Sequence, residues 1–186
     1  MKIVSLFSGV GGFDLGFIQA GHEIIWANDV WETATQTYKI NIGNHIICRD
    51  IREIPSEEIP DCDMIIGGFP CQGFSLANTK RNEQDQRNFL YREFVRIPRE
   101  KRRDFSLAEN LKGILSLGKG KVFDLIIKDF SDIGYKIRHA VLNAADYGVP
   151  QTRERVIIFG QRKDVESQIP FPPSPTHQKL NGVSLF

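Results

Sequence analysis

The sequence predicts an α/β fold with a mostly parallel sheet covered by helices on both faces. Three observations carry that reading. Short β-rich runs alternate with helix-spaced segments along most of the chain. The run DMIIGGF, residues 63–69, is apolar on both faces, as a central parallel strand is. With 186 residues, 41% of them hydrophobic, the chain is about the size of one domain and can bury a real core.

The elements follow in order. KIVSLF, residues 2–7, reads as a strand running into a glycine cluster. In GFDLGFIQAG, residues 12–21, Phe13, Phe17 and Ile18 fall at helical spacing and Gly21 suits a C-cap. EIIWAN (23–28) is a second strand, residues 31–41 a helix, HIICRD (45–50) a third strand and DMIIGGF the fourth. The polar stretch LANTKRNEQDQRN, residues 76–88, has no periodicity and is long for a compact connection, which marks a functional lid or a disordered segment. The next helix carries Leu90, Phe94 and Ile97 on one face, which Pro98 interrupts at a cost of about 3 kcal/mol for an interior proline. DFSLAEN (104–110) is a fifth strand, and KVFDLIIKDFSDIG (121–134) an amphipathic helix closed by Gly134. YKIRHAVLNA (135–144) and RERVIIFGQR (153–162) supply two more strands. From Pro170 the chain is proline-rich and aperiodic, so residues 1–169 are expected to form the domain and 170–186 a linker.

Composition narrows the function classes. A net charge of +1 advertises no nucleic-acid partner, although a local basic face remains compatible with it. The three cysteines form no CxxC pair and the four histidines are scattered, so neither a disulfide framework nor a metal site is expected. No apolar run would span a bilayer, and the N-terminal run breaks into glycines as a strand and turn do, so no membrane association and a cytoplasmic location are expected.

In open α/β sheets ligands bind at the carboxyl ends of the strands. Four candidate groups fall there. FSGVGGF, residues 7–13, is either a plain tight turn or a loop that lets backbone approach an anionic ligand. The dinucleotide fingerprint GxGxxG fails in it, because Asp14 replaces the last glycine. Asp29 ends the second strand, where an acid binds ribose hydroxyls or caps a helix. Asp50 ends HIICRD, where it accepts from an amino group such as that of adenine, or caps. Cys71, after Gly67-Gly68-Phe69-Pro70, is either an inert small hydrophobe or a thiol activated by nearby backbone N–H groups. Glu109-Asn110 closes the fifth strand, and Gln151, Arg153 and Arg155 alternate so as to share one strand face.

FSGVGGF, GGFPCQGFS, AENLKG and GVPQTRERVIIFG, in this order, resemble the DNA cytosine-5 methyltransferases over about residues 2–175. The resemblance implies a class I methyltransferase fold, Rossmann-like, that uses S-adenosylmethionine and no metal. It implies that Phe7, Ser8, Gly9, Gly11, Gly12 and Phe13 cradle the methionine end. Asp29 would hold the ribose and Asp50 and Ile51 the adenine, with Val30 where an aromatic often covers the adenine and Pro70 and Leu90 completing the pocket. Cys71 would be the nucleophile, Glu109 would contact the base at N3, and Arg155, supported by Arg153, its oxygen. Gln72, Gly73, Ser75, Asn110 and Gln151 would meet a duplex DNA from which the cytosine has been flipped. Val30, Pro98, Arg103, Ser106 and Leu111 depart from the family pattern. The chain is expected to stop before a target-recognition region. It would then be half of a split enzyme served by a second polypeptide or part of a restriction-modification system, or an inactive copy that only binds cofactor or nucleic acid. A tRNA substrate is the alternative to DNA.

Overall fold

The computed structural model describes residues 1–70, 90–166 and 169–177. The chain order is β1 (Lys2–Leu6), α1 (Gly12–Gln19), β2 (Glu23–Asp29), α2 (Glu32–Asn41), β3 (Ile46–Cys48), β4 (Met64–Gly67), α3 (Leu90–Lys101), β5 (Phe105–Leu111), α4 (Lys121–Asp132), β6 (Tyr135–Asn143) and β7 (Glu154–Arg162), with short 3₁₀ turns between. The seven strands form one sheet in the order β3-β2-β1-β4-β5-β7-β6. β1 pairs in parallel with β2 and β4, as β2 does with β3 and β4 with β5. β7 is antiparallel to both β5 and β6. This is the Rossmann-like fold with a reversed strand at one side.

The residues explain the layering. Successive side chains of a strand point to opposite faces. Along β4, Ile65 therefore joins one core, with Phe94, Ile97, Ile126 and Phe130 of α3 and α4. Met64 and Ile66 join the other, with Ile3, Ile24, Ala27 and Tyr38. That two-sided burial is why the fourth run is apolar throughout.

Several expectations need correction. The third strand stops at Cys48, and Asp50 instead caps a 3₁₀ turn at Ile51–Glu53 by accepting from the Arg52 N–H at 2.9 Å. β7 begins at Glu154, so Gln151 and Arg153 precede the strand rather than sharing its face with Arg155. Ile18 is exposed, and α1 is held by Phe13 and Phe17 beside the buried Asp14. α3 runs through Pro98 to Lys101, because the proline is buried on the same face as Phe94 and Ile97. Ser106, out of place in an apolar strand, is buried against Gly160, where a Cβ would come within 2.4 Å of its Oγ. The first residues of the proline-rich segment lie against the sheet. Phe171 stacks on Phe159 at 5.6 Å, Arg138 lies 5.0 Å over the Phe159 ring, and the His177 N–H bonds the Asp146 carbonyl at 2.9 Å.

Candidate active site

β1 lies inside the sheet between β2 and β4, and the chain winds outward from it in both directions. The switch point is the gap between the carboxyl ends of β1 and β4, where Leu6 pairs with Gly67. A cleft opens there in two adjoining parts. One, of about 660 Å³, is lined by Phe7, Gly12, Gly68, Glu109, Arg153 and Arg155, among others. The second, of about 630 Å³, is lined by Gly9, Asp29, Val30, Asp50, Pro70 and Leu90, among others. Phe7, Val10 and Gly68 border both.

The glycine loop forms the shared wall. Gly9 and Gly11 have φ values of 56° and 88°, in the left-handed region that favours glycine. The two then serve different ends. A Cβ on Gly9 would meet nothing within 4 Å, whereas one on Gly11 would fall 2.2 Å from Ile42 and 2.7 Å from Tyr38. Gly11, expected at the cofactor, is therefore the contact that lets α2 press against the loop. Ser8 is buried beneath the loop, its N–H bonded to the Asn28 carbonyl at 2.9 Å.

Asp29 ties the loop to β2. One carboxylate oxygen accepts from the Gly9 N–H at 2.8 Å and the other from the Trp31 N–H at 2.9 Å. Each oxygen keeps a lone pair for a further donor such as a ribose hydroxyl. Asp50 is more heavily engaged. The Arg52 guanidinium reaches both its oxygens, with a shortest contact of 2.5 Å, and holds its carboxyl below the ordinary carboxylate range. Ile51 is buried beside it, and both line the second part of the cleft. Trp31, with 71% of its surface exposed, stands on the same rim. Sequence reasoning passed it over for its neighbour Val30, since an exposed aromatic beside a strand end carries no periodic signal.

On the other side, the reversed direction of β7 brings its first residues to the carboxyl end of β5. Glu109 pairs in register with Ile157 and Leu111 with Arg155, so Glu109 and Arg155 are diagonal neighbours on one face. Their side chains join at 2.8 Å, from Arg155 Nε to Glu109 Oε1, and both remain partly exposed toward the cleft. Arg153 lines the same part of the cleft, and its backbone N–H is fixed by the Asn143 side chain at 2.9 Å. Gly68 lies against Glu109, whose Oε2 would be 3.2 Å from a Cβ placed there. Asn110 does not face the cleft. It is 3% exposed, donates to the Phe69 carbonyl at 2.9 Å and accepts from the Leu111 N–H, so it holds the strand end that leads to Pro70. Gln151 is exposed outside the residues that line the cleft. Cys71, Gln72, Gly73 and Ser75 lie outside the described residues.

The arrangement can hold an adenosyl amino acid. Open backbone at Gly9 and Gly12 faces the cleft, and carboxylates on β2 and after β3 stand at one end. A carboxylate paired with a guanidinium faces the other. An anion at the loop would meet N–H groups at the start of α1.

A switch-point cleft of this kind, with a glycine turn after the first strand and an acid closing the second, defines a nucleotide-type cofactor site on a Rossmann-like sheet. The chain belongs to the C-5 cytosine-specific DNA methylase family, whose pattern it matches over residues 1–183. It is 41% identical to the type II methyltransferase M.BsuRI of Bacillus subtilis, covering 100% of this chain and 49% of that protein. It is 47% identical to M.FnuDI of Fusobacterium nucleatum, covering 100% and 55% respectively. The chain thus spans about half the length of the curated relatives it matches. Among solved structures, a Spodoptera frugiperda DNMT2 mutant aligns with a TM-score of 0.74 at 26% identity, over 89% of this chain and 51% of that one. A crystal structure described as a DNA modification methyltransferase encoded within a prophage (E. coli) aligns with a TM-score of 0.78 at 32% identity, over 91% and 49%.

Proposed function

We propose that this chain carries the catalytic half of a DNA cytosine-5 methyltransferase of a restriction-modification system. One observation supports the reading most: the Glu109–Arg155 pair borders the same cleft as the glycine loop. A base-binding carboxylate and a cofactor loop are then within one ligand's reach of each other. In this reading S-adenosylmethionine, when bound, supplies an electrophilic methyl group to C5 of the base. Phe7, Gly9 and Gly12 hold its amino-acid end, Asp29 its ribose and Asp50 with Ile51 its adenine.

The work of the protein is on the cytosine, whose C5 is too weak a nucleophile unaided. The Cys71 thiolate adds to C6, so that a C–S bond forms and the electron pair of the 5,6 double bond moves toward C5. Glu109 carries a proton at N3, where negative charge would otherwise build. Arg155 steadies Glu109 and donates to the base oxygen, with Arg153 beside it. After C5 is substituted, its proton leaves to a base, the double bond re-forms and the Cys71 thiolate departs. The flipped base costs a few kcal/mol of unstacking, which contacts to the duplex must offset.

A second polypeptide supplying the part of the relatives that this chain does not span belongs to the same reading. The test is covalent trapping. The chain is incubated with S-adenosylmethionine and DNA carrying 5-fluorocytosine, alone and with that second polypeptide. Fluorine at C5 prevents loss of the proton, so the Cys71 adduct should persist as a denaturant-stable complex. The Cys71→Ser variant should give none. A complex that persists with serine at 71 removes the thiol from the nucleophile role, and no wild-type complex under either condition overturns the function.

A further inference from the structure

In the sequence Asp14 is only the residue that breaks the GxGxxG pattern. In the structure it is 0% exposed. Its Oδ1 accepts from the Ser5 hydroxyl at 2.6 Å and its Oδ2 from the Tyr38 hydroxyl at 2.8 Å. The line continues in both directions. Tyr38 Oη lies 3.0 Å from His45 Nε2, ahead of β3. The Ser8 hydroxyl donates to Ser5 Oγ at 2.9 Å and to the Ser5 carbonyl at 3.2 Å. The same Tyr38 ring fills the space behind Gly11. Hydrogen bonds and packing thus reach the glycine loop from α1 and α2 together.

A buried carboxylate is costly unless paired or hydrogen-bonded. Burial raises the Asp14 carboxyl above its ordinary range, and burial together with Asp14 raises the Tyr38 hydroxyl, so the phenol stays a donor. A glycine at this position, as in the dinucleotide pattern, would avoid the cost. The acid gains only what it organises, and what it organises is the loop.

We propose that Asp14 is a positioning residue for the cofactor loop: through Ser5 and Tyr38 its carboxylate fixes residues 7–11 in the shape that turns Gly9 and Gly12 toward the cleft. The inference rests on reading the cleft as the S-adenosylmethionine site. A loop ordered before binding loses less conformational freedom when the ligand arrives, and that difference appears as affinity.

The experiment is calorimetric titration of the full chain with S-adenosylhomocysteine. The variants are Asp14→Asn, Tyr38→Phe, their double, and Tyr135→Phe for comparison. Tyr135 is buried at the opposite end of the sheet, where its hydroxyl bonds the Arg103 carbonyl. Asp14→Asn and Tyr38→Phe should each weaken binding about tenfold, as loss of a hydrogen bond to a charged group does. The double should be little weaker than the worse single, because both break one line of contacts. Tyr135→Phe should leave affinity within about twofold even where it lowers the melting temperature.

A pH series adds a readout that a purely structural role would not move. The ratio of wild-type to Asp14→Asn affinity cancels the groups that do not touch Asp14, such as Glu109, Arg153 and Arg155 across the cleft, whereas Tyr38 on α2 and His45 ahead of β3 belong to the same line of contacts, and the Tyr38→Phe pH series reads their share. The ionised carboxylate holds the loop, so the wild-type advantage is present above its folded value and shrinks as pH falls through it. A ratio unchanged in acid, or variants that bind as tightly as wild type, overturns the positioning role and leaves the cofactor reading standing. A wild-type chain that ignores the ligand at about 1 mM, where even weak sites show occupancy, overturns the cofactor reading and the inference with it.

Discussion

Asp29 shows how one side chain serves two purposes. Its carboxylate joins the loop after β1 to the start of α2 through the N–H groups of Gly9 and Trp31, and the same oxygens face the cleft. Replacing it with alanine leaves two backbone donors without that acceptor and removes the proposed ribose contact. Asp29→Ala should therefore weaken S-adenosylhomocysteine binding by about tenfold or more, the scale of a lost hydrogen bond to a charged group. Calorimetry checks this, and unchanged affinity removes Asp29 from the site. At this scale the sequence was informative about position: Asp29 and Glu109 stand toward the strand ends where it put them, and both line the cleft. It was silent on Asp14, because only the fold brings Ser5, Tyr38 and His45 around it.

At the scale of elements, the strands and helices were legible because their apolar residues keep a period. β1, β2, α4 and β6 fall within a residue or two of where the pattern puts them. The misses have physical causes. The third strand is short because its last predicted residue, Asp50, caps the next turn instead. Gln151 and Arg153 look like strand residues by alternation, yet pairing with β5 ends at Arg155 opposite Leu111. α3 survives Pro98 because tertiary packing holds a face that local propensity disfavours.

The meaning of the Gly67-Gly68 pair also appears only here. A Cβ at Gly67 would lie 2.4 Å from the Leu6 carbonyl oxygen and 3.0 Å from the Phe94 ring. β4 must pass that close to β1 and α3 to bring its end into the cleft. Gly67→Ala should cost about 1–3 kcal/mol, the range for overpacking a well-filled site. Urea denaturation measures it, and a neutral substitution would show that the strands separate easily.

For the whole molecule, the sheet order decides the function more than any residue does. Winding outward from β1 places the loop, Asp29 and Asp50 on one side of the switch point. The reversed β7 returns Arg155 to Glu109 on the other. Motifs far apart in the chain thereby border a single cleft. The family resemblance anticipated this convergence, but alternation of strands and helices alone could not, since it leaves strand order open. Within the site the charges are matched as well, Arg155 by Glu109 and Arg52 by Asp50 at the rim.

We propose that the two adjoining parts of the cleft across β1 and β4 together take the methyl donor beside the Glu109–Arg155 pair. A crystal structure of the chain with S-adenosylhomocysteine tests it most directly. The ribose should lie at Asp29, the adenine beside Ile51 and the amino-acid end along Phe7–Gly12, with the ligand sulfur facing Glu109. Ligand bound anywhere else, or lying in the cleft with its sulfur turned away from Glu109 and Arg155, would contradict it.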